Sequence, residues 1–130
     1  MSEIDYAALG PERGWVERMC RGLGCGCPDE VFESIRLRTA ELDGAELLVE
    51  VGARLLVALV DAADAPRAEA LLERGRALRD REGLNRFRLV LVGQIAAARL
   101  AELERAVQAD DRLHVHAIDA ARLAGWIESG

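Results

Sequence analysis

Two apolar runs constrain this chain more than any other feature: "RLLVALV" at 54–60 and "FRLVLVG" at 87–93. The first is apolar on both faces, so it belongs at the centre of a sheet covered on both sides. The second reads as another buried strand. Between them lies a helical pattern. Asp64 is placed to cap it and Pro66 falls in its first turn. Ala68, Leu71, Leu72, Gly75 and Leu78 make a buried stripe, and Gly83 supplies a left-handed stop. Strand, helix and strand in this order predict parallel pairing through a right-handed crossover.

The rest of the chain extends this unit. A helix over about Gln94 to Ala109 follows, with Ala96, Leu100, Leu103 and Val107 inward. "LHVHAI" is a last strand, and Asp119 caps a final helix that turns Ala120, Leu123, Ala124 and Ile127 inward. Upstream, Pro11 opens a first helix whose face is Trp15, Val16, Met19, Cys20 and Leu23, and Gly22 and Gly24 end it. Pro28, Asp29 and Glu30 suit the first turn of a short helix. In "FESIRLRTA", Ile35 and Leu37 point one way and Arg36 and Arg38 the other, as on a half-buried strand. Asp43-Gly44 and Gly52-Ala53 are tight turns around "LLVEV", so the first three strands are antiparallel. The predicted fold is α/β: a mixed five-stranded sheet, antiparallel in its first three strands and then parallel in β-α-β units, with helices on both faces. Its 130 residues make one domain, 1–130, with a Gly/Cys-rich loop at 20–30 between the first helix and the first strand.

Composition removes several chemistries. Every cationic side chain is arginine, and there is no lysine. Schiff-base catalysis, a Walker A loop and the ATP-pairing lysine of kinases all need that amine. The aliphatic hydroxyls are Ser2, Ser34, Ser129 and Thr39, none in a Gly-x-Ser-x-Gly elbow. The net charge is −6, and arginines outnumber acids only in residues 51–88. There Arg67, Arg74, Arg76, Arg79, Arg81, Arg86 and Arg88 are diluted by Glu69, Glu73, Asp80 and Glu82, so a solvated helix face is expected rather than a nucleic-acid surface. No apolar run is long enough for a bilayer, and "MSEIDYAALG" lacks the basic start of a signal peptide. A cytoplasmic protein is expected, with no membrane or nucleic acid among its partners.

The order helix, three strands, helix, strand resembles the core of restriction-endonuclease-like nucleases. Those enzymes hold Mg²⁺ with an acid on the second strand and Asp/Glu-x-Lys on the third. Here "RLLVALV" has neither acid nor lysine, and Glu46 and Glu50, which flank the second strand, have no partner at that spacing. The resemblance implies a shared topology and a non-catalytic interaction module.

All three cysteines fall in Cys20-x4-Cys25-x-Cys27-Pro28, interleaved with Gly22, Gly24 and Gly26. Glycines allow the sharp bends that bring such thiolates together, and their free N–H groups can donate to sulfur. Zinc sites and iron–sulfur clusters usually take four ligands. A fourth would come from His114 or His116, which share one face of the last strand, from a second subunit, from an external ligand, or from solvent. Other readings stand beside this one. Cys20 lies on an apolar helix face and behaves there as a small hydrophobe. The two histidines suit a half-exposed strand face. Cys25 and Cys27 suit a thiol redox pair, with Cys27 before a helix start and Asp29 and Glu30 opposing it. The glycines do not match a dinucleotide loop, and Gly93, between strand and helix, is the better anion seat. The leading expectation is a small metal- or iron–sulfur-binding protein, an electron-transfer or accessory component of a redox system. Cys20, Cys25, Cys27, His114 and His116 are its candidate ligands, a cluster or zinc its cofactor, and a protein partner or second copy its associate. Stand-alone catalysis is not expected.

Overall fold

The computed structural model describes residues 4–128. Its strands are β1 (Ile35–Leu37), β2 (Leu47–Val51), β3 (Leu55–Asp61), β4 (Arg86–Val92) and β5 (Leu113–Ile118). Its helices are α1 (Arg13–Gly22), α2 (Ala68–Arg81), α3 (Ala97–Ala106) and α4 (Ala120–Glu128). The strands line up in chain order, β1-β2-β3-β4-β5. The first three pair antiparallel and the last three parallel, so the strand apolar on both faces, β3, lies at the centre.

Alternation along the strands divides the core in two. Leu56, Ala58 and Val60 of β3 and Phe87, Leu89 and Leu91 of β4 pack with Leu71, Leu72 and Leu78 of α2 and Leu103 of α3. Leu55, Val57 and Leu59 of β3 and Val90 and Val92 of β4 pack with Trp15, Val16, Met19 and Cys20 of α1 and Leu123 of α4. Successive crossovers of one hand put their helices on one face of a sheet that advances in one direction. That leaves the opposite face to α1 and α4, the face on which the cysteine loop lies.

Some local expectations differ in detail. Asp61, not Asp64, caps the segment after β3, its carboxylate accepting from the Ala63 N–H at 2.9 Å. A 3-10 stretch over Ala62–Arg67 carries Pro66, and α2 begins only at Ala68. Proline has no N–H to give an α-helical turn, and the tighter turn accommodates it. α3 is shorter than its pattern, and of its expected inward residues only Leu103 is fully buried.

β1 covers three residues; Ile35 packs on the core and Arg36 is exposed as expected, but Leu37 is exposed and Arg38, just past the strand, is buried. Arg38 binds three carboxylates, Glu41, Glu50 and Glu82, with Glu50 itself buried on β2. Paired in this way a guanidinium tolerates burial that an isolated one would not. Gly52 and Ala53 both have positive φ, 63° and 53°, and the Arg54 N–H returns to the Val51 carbonyl at 3.1 Å. This is the two-residue hairpin turn whose twist matches its strands, and it delivers Arg54 to the amino end of β3.

Candidate functional site: a cysteine pair facing three arginines

The cysteine loop is shaped by the way α1 stops. Leu23 is the last residue half in the helix, and Gly24 follows with φ of 92°. The Cys25 N–H bonds to the Cys20 carbonyl at 2.9 Å and the Gly24 N–H to the Arg21 carbonyl at 3.1 Å. These two bonds form a Schellman cap, which needs a left-handed residue at the Gly24 position. Cys25 is thereby tied to the end of α1.

Beyond it, Gly26 has open space where a Cβ would be. Pro28 then leads into a 3-10 turn over Asp29–Glu33. Arg21 ties the outer limb down, donating to the Cys27 carbonyl at 3.4 Å and to Asp29 at 2.7 Å. Cys25 and Cys27 are paired as a disulfide, their Cα atoms 5.5 Å apart. Cys25 is buried and Cys27 half-buried.

Cys20 is not part of this pair. Its thiol is fully buried among Trp15, Val16 and Met19, and burial pushes its pKa up to about 12. It is a packed side chain that stays protonated at neutral pH.

His114 and His116 share one face of β5, as alternation requires, with ring centroids 6.4 Å apart. They meet arginines of β4 rather than the cysteines. Arg86 Nη1 lies 2.9 Å from His114 Nε2, and Arg88 Nη1 lies 2.9 Å from His116 Nε2. Arginine can only donate, so each Nε2 accepts and the ring proton sits on Nδ1. Burial first, then Arg88, lowers the pKa of both imidazoles; His116 falls to about 4. Both are neutral at pH 7, and the lone pairs a metal would use are taken by guanidinium N–H groups.

The five candidate ligands thus divide into a cysteine pair, a packed thiol and two arginine-bound imidazoles. Among the described residues no group of three or more His, Cys, Asp or Glu side chains stands ready to hold a metal ion. Gly93 does have positive φ, 125°, but its N–H donates to the Ile118 carbonyl at 2.8 Å and is not free for an anion.

What the cysteines do face is a cavity of about 350 Å³ at the amino ends of β3 and β4. It is lined by the Gly24–Pro28 loop and by Arg54, Leu55, Asn85, Arg86 and Arg88. Register explains the gathering. Leu55 pairs with Arg86 and Val57 with Arg88, so Arg86 and Arg88 fall on the α1 side, two residues apart. Among the described residues no carboxylate forms an ion pair with Arg54, Arg86 or Arg88; the ion pairs engage other arginines. Arg88 is only 8% exposed, and its Nε has no hydrogen-bond partner.

A larger cavity of about 600 Å³ lies near α2 and the end of α3. Its charged groups include Glu73, Arg76 and Asp110, of which Glu73 pairs with Arg76 and Asp110 with Arg79. It contains no cysteine or histidine, which leaves the cysteine–arginine cavity as the site with a thiol pair.

Arg86 and Arg88 were visible in the sequence only as members of a diluted basic stretch, and Arg54 only as the first residue of an apolar run. The stronger signal was period two on neighbouring strands, Arg86-x-Arg88 beside His114-x-His116. No helix among the described residues is long and apolar enough to cross a membrane. Comparison with protein-family models, with curated proteins and with solved structures returns no match for this chain.

Proposed function

We propose that this protein is a thiol–disulfide redox protein, a two-electron carrier or accessory working through Cys25 and Cys27. The observation that carries this is the Cys25–Cys27 pair itself, set at the mouth of a cationic cavity. Two further features support it. A disulfide stabilises a fold mainly by closing a long loop, and this one closes only three residues, so a structural staple has little reason to sit here. Thiolates are the reactive form of cysteine, and neighbouring arginines favour that form.

The cycle needs no other cofactor. An incoming thiolate attacks the more exposed Cys27 sulfur, the Cys25–Cys27 bond breaks, and Cys25 leaves as a thiolate that takes up a proton. A second substrate thiol then attacks the mixed disulfide. Two RSH and the protein disulfide become RSSR and the protein dithiol.

The test is equilibration against glutathione buffers of graded ratio, reading free thiols at Cys25 and Cys27. The expected result is a reversible two-electron transition within the range of known carriers, about −120 to −270 mV. It should be lost in Cys25→Ser and in Cys27→Ser and kept in Cys20→Ala. No reversible transition in that range would refute the proposal. So would anaerobically purified protein that carries one zinc or an iron–sulfur cluster per chain, with the ligation lost in the same variants.

A further inference from the structure

Resting on that dithiol reading, we propose that the cavity beside Cys25 and Cys27 selects small anionic thiols and disulfides, their carboxylates seated on Arg54, Arg86 and Arg88. Size comes first. A space of about 350 Å³ falls at the lower end of small-molecule pockets. Cys25 is only 8% exposed and Cys27 half-buried, so a folded protein's disulfide has poor access to the pair while a small molecule fits.

Charge comes second. Three guanidiniums line one cavity without a carboxylate partner among the described residues. Their polar neighbours are His114 and His116, which are neutral and accept one N–H each, the Asp111 carbonyl, which accepts from Arg86 at 3.3 Å, and the protonated Cys20 thiol near Arg88. Arg88 is more than nine-tenths buried with an unpartnered Nε–H. A buried cation left in this state is costly, and an anion that accepts from it restores the balance. The planar fork of arginine matches a carboxylate in two-bond geometry. Seated there, a ligand's sulfur is held over the Cys25–Cys27 pair that lines the same cavity. The electrons move as in the exchange above, and the arginines only hold the ligand.

Three small disulfides of equal S–S chemistry but different charge separate the possibilities: dithiodiglycolate (dianion), 2-hydroxyethyl disulfide (neutral) and cystamine (dication). Reduced full-length protein is mixed with each, and the second-order rate of thiol loss is followed. Free thiolates react more slowly with an anionic disulfide, so the expected order is informative. The dianion should react at least tenfold faster than the neutral probe and the dication slowest, with the ratio shrinking as salt is added. In Arg54→Gln, where the arginine is exposed and the core untouched, and in Arg88→Met, the dianion-to-neutral ratio should fall toward one. Equal rates for all three probes, or a ratio unmoved in both variants, would overturn the anion site while leaving the dithiol reading standing. Failure of the reduced protein to react with any of the three would overturn both.

Discussion

Reducing the Cys25–Cys27 bond should barely loosen the fold. In the chain-entropy account a cross-link removes about 2.1 cal/mol/K plus 1.5R ln n from the unfolded chain. For the three residues Cys25, Gly26 and Cys27 this is about 1.6 kcal/mol at 25 °C, roughly half the value for a fifteen-residue loop. The native loop does not depend on the bond. The Schellman cap holds Cys25 through the Cys20 carbonyl, and Arg21 holds the outer limb through Cys27 and Asp29. At about 4 °C per kcal/mol for a chain of this length, the melting temperature should drop by no more than about 6 °C. The assay is thermal and urea unfolding, followed by circular dichroism, of oxidised protein and of protein reduced under argon. Cys25→Ser/Cys27→Ser serves as a control that cannot reoxidise. A loss above about 3 kcal/mol, or a reduced protein that does not fold, would show that the bond is a staple. The case for a reactive pair would then fall with it.

Arg38→Ala should be the most damaging single change outside the apolar core. It leaves buried Glu50 with Arg36 alone, and urea unfolding should register a loss of about 3–5 kcal/mol, partly recovered by adding Glu50→Leu. Ala53→Asn should raise stability by several tenths of a kcal/mol in the same assay, because asparagine tolerates the positive φ that alanine endures there. His116 should show no NMR titration between pH 6 and 8. Its folded pKa of about 4 lies below the unfolded value near 6.5, so the unfolded chain takes the proton first. Stability should therefore be full above about pH 6.5 and decline as pH falls toward 4. Below that, protonation of Glu50 adds to the loss, since hydrogen bonds from Arg36 and Arg38 outweigh burial and hold its carboxyl below the ordinary range.

The sheet was legible because its evidence is local. Apolarity on both faces of 54–60 placed β3 at the centre, turn residues at Gly52-Ala53 made the hairpin, and the stripe from Ala68 to Leu78 matches the buried face of α2. Asp119 caps α4 as expected, accepting from the Arg122 N–H at 2.8 Å. β1 misled because alternation cannot reveal distant partners. Arg38 is drawn inward by Glu50 and by Glu82, which is 44 residues away in the chain. The candidate site was half legible for the same reason. The glycine stop and the Cys25–Cys27 pair are contained in one short stretch. The arginines that face them arrive on two strands through pairing of Leu55 with Arg86, which no spacing rule encodes. His114 and His116 do share a face, but what that face meets is set by β4.

The cap that ends α1 has one more consequence. Reactive cysteines are commonly set at the start of a helix, where the backbone's positive end draws out the thiolate. Cys25 stands at the opposite pole, beside the carbonyl end of α1, and its N–H is spent on one of those carbonyls. The main chain there resists a negative sulfur. A thiolate on Cys25 draws its counter-charge from Arg54, Arg86 and Arg88 across the cavity, whereas Cys27 also has Arg21 at its carbonyl. On the proposed reading, a peptide copied from residues 13–33 keeps the cysteines and Arg21 but lacks Arg54, Arg86 and Arg88, and its exchange with thiols should be slower than the protein's.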